Sequence, residues 1–96
     1  MRELTWEEVK QSLNITPEEE AEIQLEMDLI EAVIKARQKS NLSQRELSKI
    51  SKIQQPTIAR IESRARSPQA STLIRMLYPM GLTLRVVPLD EKKVKK

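Results

Sequence analysis

The sequence predicts an all-α fold of five to six helices followed by one carboxyl-terminal β-strand. Three features predict it. Helix-start signals recur at Thr5, Thr16, Ser43 and Ser67. Apolar residues repeat at three- and four-residue spacing after each start. Gly81, the single glycine, ends this pattern before LTLRVVPL, whose β-branched, roughly alternating residues read as a strand over 82–89, closed by Pro88.

The elements follow in order. Thr5 and Glu8 form a capping box, and Trp6, Val9 and Leu13 repeat at helical spacing, giving a short amphipathic helix of about two and a half turns. Thr16, Pro17 and Glu19 supply a cap, an N1 proline and a capping-box acid for a second, long helix. That helix carries Ile23, Met27, Ile30 and Ile34, with Leu25, Leu29, Val33 and Ala36, so it is apolar on more than one side. Only one stripe can face a core, which leaves Leu25 or Leu29 and the Trp6 helix with apolar surface to bury. Either the Trp6 helix folds back as core, or a partner protein covers a patch of apolar and acidic residues.

Ser43 with Glu46 opens a third helix, from about 44 to 50 or 51, with Leu47 and Ile50 inward and Gln44, Arg45, Ser48, Lys49 and Lys52 mostly outward. Pro56 is tolerable only in a first turn, so a fresh helix starts near Gln54 or Gln55. Its apolar stripe is Ile58 and Ile61; Gln55, Thr57, Arg60 and Arg64 fall largely on the other side. Gln bonds bidentately to adenine, Arg to guanine, and Thr contacts the thymine methyl or a phosphate, so this side can read a DNA major groove. A plain solvated helix face has the same composition. Ser67 and Pro68 then give a cap and an N1 proline for a helix carrying Leu73, Ile74, Met76 and Leu77 to about Pro79 or Gly81. No second strand is legible, so the strand at Leu82, Leu84 and Val86 should pair between molecules, with its symmetry mate or a partner's sheet. The alternative is an extended tail packed on the helices. The closing EKKVKK reads as a frayed basic tail.

With 96 residues the chain makes one small domain, burying roughly 60–65% of its unfolded surface. It has no Phe, one Trp and one Tyr, which makes the core aliphatic. The absence of cysteine removes disulfide and thiol chemistry and fits a reducing cytoplasm. The absence of histidine removes the commonest general base and metal ligand together, and no carboxylate or lysine spacing suggests an enzyme, a metal site or a cofactor. The amino terminus is too charged for a signal peptide, and no apolar run approaches membrane-spanning length.

The formal charge of +3 hides a division. Residues 1–34 carry ten Asp or Glu against Arg2 and Lys10, a net of −8; residues 35–96 carry fifteen Lys or Arg against four acids, a net of +11. The basic part suits a phosphate backbone through counterion release. The acidic part would be repelled by DNA, so it either takes a basic partner or keeps the domain soluble. This divides the chain into an acidic helical segment (1–34), continuous with the domain and a candidate for partner binding, a DNA-binding domain (35–81), and the strand and basic tail (82–96).

The central segment resembles the phage-repressor-like (XRE/Cro-type) helix-turn-helix family, whose fold is lambda-repressor-like. The matching residues are Ser43, Gln44, Leu47, Ser48, Ile53, Gln55, Ile58, Ala59, Arg60, Ile61 and Glu62. The resemblance implies base contacts from Gln55, Pro56, Thr57 and Arg60. It implies phosphate contacts from Gln44, Arg45, Lys52, Ser63 and Arg64, and a structural ion pair between Arg37 and Glu62. The chain departs from the family pattern where Lys52 replaces the turn glycine, Gln54 replaces a Ser or Asp cap, Ser48 replaces alanine, and Ser63 and Arg64 stand where a glycine follows the glutamate.

The flanks sharpen the likeness. A W-x-E-V segment, an acidic helix entering I-K-A-R and a final G-L-x-L-x-V-x-P together look like HigA-type antitoxins. That resemblance implies a cytoplasmic bacterial homodimer which represses its own operon at double-stranded operator DNA. It also implies that the chain neutralises a basic RelE-fold, HigB-type ribonuclease toxin, in a heterotetramer. Trp6, Val9, Leu13, Glu18, Glu19, Glu22 and Glu26 are the toxin-binding candidates, with Glu20 and Asp28 adding to the acidic face, and Trp6 the expected anchor. Dimerisation near the carboxyl-terminal helix and strand would set the two recognition helices about 34 Å apart. A stand-alone phage-type repressor would use the same central motif.

Overall fold

The computed structural model describes residues 3–89. Its elements are α1 (Trp6–Leu13), α2 (Pro17–Lys39), α3 (Gln44–Ser51), α4 (Gln55–Glu62) and α5 (Ala70–Leu77), followed by a single 3₁₀ turn at Tyr78–Met80. Three helix starts are full capping boxes: at Thr5 with Glu8, Thr16 with Glu19 and Ser43 with Glu46, side chain and backbone satisfy each other's unpaired groups. In the Ser43 box, bonds from the backbone and side chain of Ser43 draw the Glu46 carboxyl below its ordinary pKa.

The core is aliphatic. Ile30 and Val33 of α2, Leu47 of α3, Ile53 of the turn, Ile58 and Ile61 of α4, and Leu73, Met76 and Leu77 of α5 bury against one another, flanked by Leu29, Ile34, Leu42, Met80 and Leu84. Burying each such side chain contributes roughly 1.5–3 kcal/mol. The carboxyl-terminal half of α2 is thus the spine on which α3, α4 and α5 pack. Its amino-terminal half projects beyond them: Leu25 is 58% exposed and Met27 45%. α1 has no fully buried residue and is tied to α2 by the Lys10–Glu20 ion pair.

Four expectations are corrected. Among the described residues there is no β-strand; 82–89 forms neither strand nor helix, because no second strand among them completes a ladder of hydrogen bonds. α5 begins at Ala70 after an uncapped Gln69, since the Ser67 hydroxyl is engaged by Glu26 and is not available as a cap. On α3 the inward partner of Leu47 is Ser51, while Ile50 is 48% exposed and Ser48 is half-buried. Arg64 lies beyond the end of α4 and is therefore not on its face. The basic tail at 91–96 lies outside the described residues.

Candidate nucleic-acid interface

α4 is anchored from beneath and open above. Ile58 and Ile61 are fully buried, while Gln55, Pro56 and Arg60 are exposed and Thr57 is half-buried along the opposite rim. Gln54 makes no side-chain cap bond, but Pro56 in the first turn has no N–H to satisfy, which lowers the demand for a cap. The expected base-contact residues therefore share one solvent-facing edge.

The turn before α4 works without a glycine. Lys52 sits in the left-handed region (φ 62°, ψ 27°), donating its N–H to the Ser48 carbonyl at 2.9 Å. Two serines hold the turn from either side: Ser48 Oγ donates to the Ile53 carbonyl, and Ser51 Oγ accepts from the Ile53 N–H at 3.3 Å. The role of these serines was not read from the sequence, although a hydroxyl at Ser48 where the family carries alanine was the available signal. The end of α4 repeats the device. Arg64 is left-handed (φ 64°), its N–H donating to the Ile61 carbonyl, and the Ala65 N–H reaches the Arg60 carbonyl at 2.9 Å. Both missing glycines are thus replaced by cations that accept the left-handed backbone.

Beneath the rim lies a buried ionic cluster. Arg37 Nε donates to Glu62 Oε2 at 2.8 Å and Arg37 Nη2 to Glu62 Oε1 at 2.9 Å, a bidentate pair. Arg37 Nη1 donates to the Leu42 carbonyl, and Gln44 Nε2 donates to Glu62 Oε1 at 2.9 Å. Both side chains are largely out of water, at 15% exposure for Arg37 and 7% for Glu62. Burial pushes the Glu62 carboxyl up, but the bonds from Arg37 and Gln44 and the guanidinium charge outweigh it and hold its pKa below the ordinary value. Arg37 is correspondingly raised, chiefly by its bond to Glu62. This cluster clamps the carboxyl-terminal end of α4 to α2 and the start of α3.

The expected phosphate contacts divide into two groups. Arg45, Lys52 and Arg64 are exposed cations around α4. Gln44 gives its amide to Glu62, and Ser63 spends its hydroxyl on the Arg60 carbonyl, so their side chains are already in use.

The partner-binding candidates lie apart from the rim, on α1 and the projecting half of α2. Trp6 is 45% exposed, Leu13 is exposed and Val9 half-buried. Lys10 Nζ sits 5.8 Å from the Trp6 ring centroid and pairs with Glu20 at 2.7 Å and Glu7 at 3.1 Å, contacts that raise its pKa, Glu20 foremost. Glu18, Glu19 and Glu22 are exposed, and Glu26 is half-buried. Of the residues expected to pair between molecules, Leu82 and Val86 are exposed, whereas Leu84 packs against the core. No helix among the described residues is long and apolar enough to cross a membrane.

Comparison with known proteins agrees with this geometry. The helix-turn-helix family model HTH_3 matches residues 33–86. An uncharacterized HTH-type transcriptional regulator of Haemophilus influenzae is 41% identical over 87 residues, spanning 91% of this chain and 88% of that protein. A solved chain from a toxin-antitoxin module of Streptococcus pneumoniae superposes with a TM-score of 0.69 at 35% identity, covering 92% of this chain and 97% of that one. A capped first helix, a left-handed turn and a second helix buried on one side only, in a chain matched over more than half its length, place it in the helix-turn-helix family.

Proposed function

We propose that this chain is a DNA-binding antitoxin. The observation that carries the reading is the open rim of α4, with Gln55, Pro56 and Arg60 exposed above a stripe buried at Ile58 and Ile61. Gln55, Thr57 and Arg60 read base edges in the major groove, with Pro56 packing against them. Arg45, Lys52 and Arg64 neutralise flanking phosphates, and Gln44 and Ser63 contribute main-chain or remaining polar contacts. The likeness to a toxin-antitoxin module over nearly the whole chain supports a second, protein partner. The charge division supports a basic partner, which we take to be a RelE-fold, HigB-type ribonuclease held by the acidic, apolar surface of α1 and α2, with Trp6 as anchor and Val9, Leu13, Glu18, Glu19, Glu22 and Glu26 around it. Two copies associate near α5 and the 82–89 segment, repress their own operon in the bacterial cytoplasm, and form a heterotetramer with the toxin.

Replacing Arg60 by Ala tests the separation of the two surfaces. Operator affinity measured by fluorescence anisotropy falls about tenfold to a hundredfold, as expected for loss of a bidentate base contact, while co-purification of the toxin is unchanged. Equal loss of both activities contradicts the assignment. A stand-alone repressor, the reading that the name of the Haemophilus influenzae relative favours, predicts tight operator binding and no co-purifying protein.

A further inference from the structure

A cleft of about 280 Å³ opens between α2 and the loop that follows α4. Its floor is Ile23, Met27 and Ile30; its walls are Glu26 on one side and Arg64, Ala65, Arg66 and Ser67 on the other. The Ser67 hydroxyl donates to Glu26 Oε2, a contact that spans 41 positions of sequence. Among the described residues neither Arg64 nor Arg66 pairs with a carboxylate, and the residues that line the cleft include one acid, Glu26, beside one hydroxyl, Ser67, and these two arginines.

We infer that Ser67, Arg64 and Arg66 form a phosphate seat for the DNA backbone, and that Glu26 occupies it as an internal phosphate mimic when DNA is absent. The inference rests on the DNA-binding reading above and adds to it Ser67 and Arg66 as contacts and Glu26 as their competitor. The chemistry is direct. Hydroxyl and guanidinium donors are the groups that hold phosphate oxygens, and a carboxylate offers the same acceptor geometry with less charge. The loop is placed for this role because it leaves the end of α4 one residue after Ser63. A phosphate entering the seat takes the Ser67 hydroxyl and meets the Glu26 charge at short range, so Glu26 weakens backbone binding and Ser67 strengthens it. A partner that draws Glu26 toward its own cations would free the seat, which links the acidic surface of α2 to the DNA-facing loop.

The test uses the full chain and a labelled random-sequence duplex of about 20 base pairs at low salt. Glu26→Gln keeps an acceptor for Ser67 but removes the charge, and binds the duplex about threefold tighter; Ser67→Ala binds about threefold weaker; Arg66→Ala binds weaker with a salt slope lower by about one. Glu22→Gln, one turn earlier and outside the cleft, serves as the control and changes affinity less than Glu26→Gln. Equal gains from Glu22→Gln and Glu26→Gln would reduce the effect to the overall field and overturn the seat. Unchanged duplex affinity in Glu26→Gln, with weaker binding of polylysine, would assign Glu26 to the protein-binding surface and also overturn it. If the parent chain fails to bind the duplex at all, the DNA-binding reading falls first; if it binds and Glu26→Gln and Ser67→Ala do not respond, only this inference falls.

Discussion

Truncating Glu62 to Ala should destabilise the fold far more than a surface change at the same distance from the core. In the parent, the carboxylate accepts three bonds, two from Arg37 and one from Gln44. Removing it leaves a guanidinium that is 15% exposed with its Leu42 bond alone, and a half-buried amide without a partner. Breaking a buried ion pair from one side costs roughly 3–5 kcal/mol, and the residual exposure of Arg37 puts this site at the low end, about 3 kcal/mol. For a domain of this size that corresponds to a fall in Tm of roughly 12–24 °C, read by far-UV circular dichroism at neutral pH. The double replacement Arg37→Met with Glu62→Met recovers most of the loss, because no charge is then stranded. The pH dependence has a fixed sign. The folded carboxyl titrates below its unfolded value of about 4.5, so its contribution is complete above that pH and is lost as pH falls through the folded value. Glu62→Gln flattens this acid limb. A Glu62→Ala variant melting within about 2 °C of the parent refutes the reasoning.

Other outcomes follow from the same geometry. Lys52→Gly relieves a left-handed non-glycine residue and raises stability by about 0.5–1 kcal/mol in urea unfolding, while lowering the salt slope of duplex binding by about one. Trp6→Ala changes unfolding stability by less than about 0.5 kcal/mol, since α1 supplies no residue to the core, yet weakens capture of the basic partner at least about tenfold. Val86→Asp leaves the melting of the monomer unchanged, because Val86 touches no core residue, and shifts sedimentation equilibrium toward monomer.

What could be read in the sequence was whatever local chemistry decides. The capping boxes at Thr5, Thr16 and Ser43 fixed three helix starts to the residue, and Pro56 forced the break between α3 and α4. Lys52 in place of a glycine leaves two outcomes open, a left-handed residue or an altered turn, and the structure has the left-handed residue. Two of the misreadings have distant causes. Ser67 with Pro68 is a sound local cap signal, but a carboxylate 41 positions earlier claims the hydroxyl and the helix begins later. The residues after Gly81 carry strand propensity, which measures how well side chains fit a pleated sheet and cannot create the missing neighbour. The Arg37–Glu62 pair came with the family resemblance, since nothing in local spacing joins positions 25 apart. Gln44 shows the limit of that transfer: its amide turns inward to Glu62. Whether the Trp6 helix folds into the core also depended on distant packing, and the core closed without it.

The central claim is that the open edge of α4 enters duplex DNA while the helix stays clamped from below. Titrating an isotopically labelled chain with its promoter duplex, and following backbone amide resonances, tests this most directly. The account predicts saturable shifts concentrated at Gln55, Thr57, Arg60 and Arg64, with Trp6, Val9 and Leu13 unmoved. Shifts confined to α1 and the first half of α2, or no shift at low ionic strength, would contradict it.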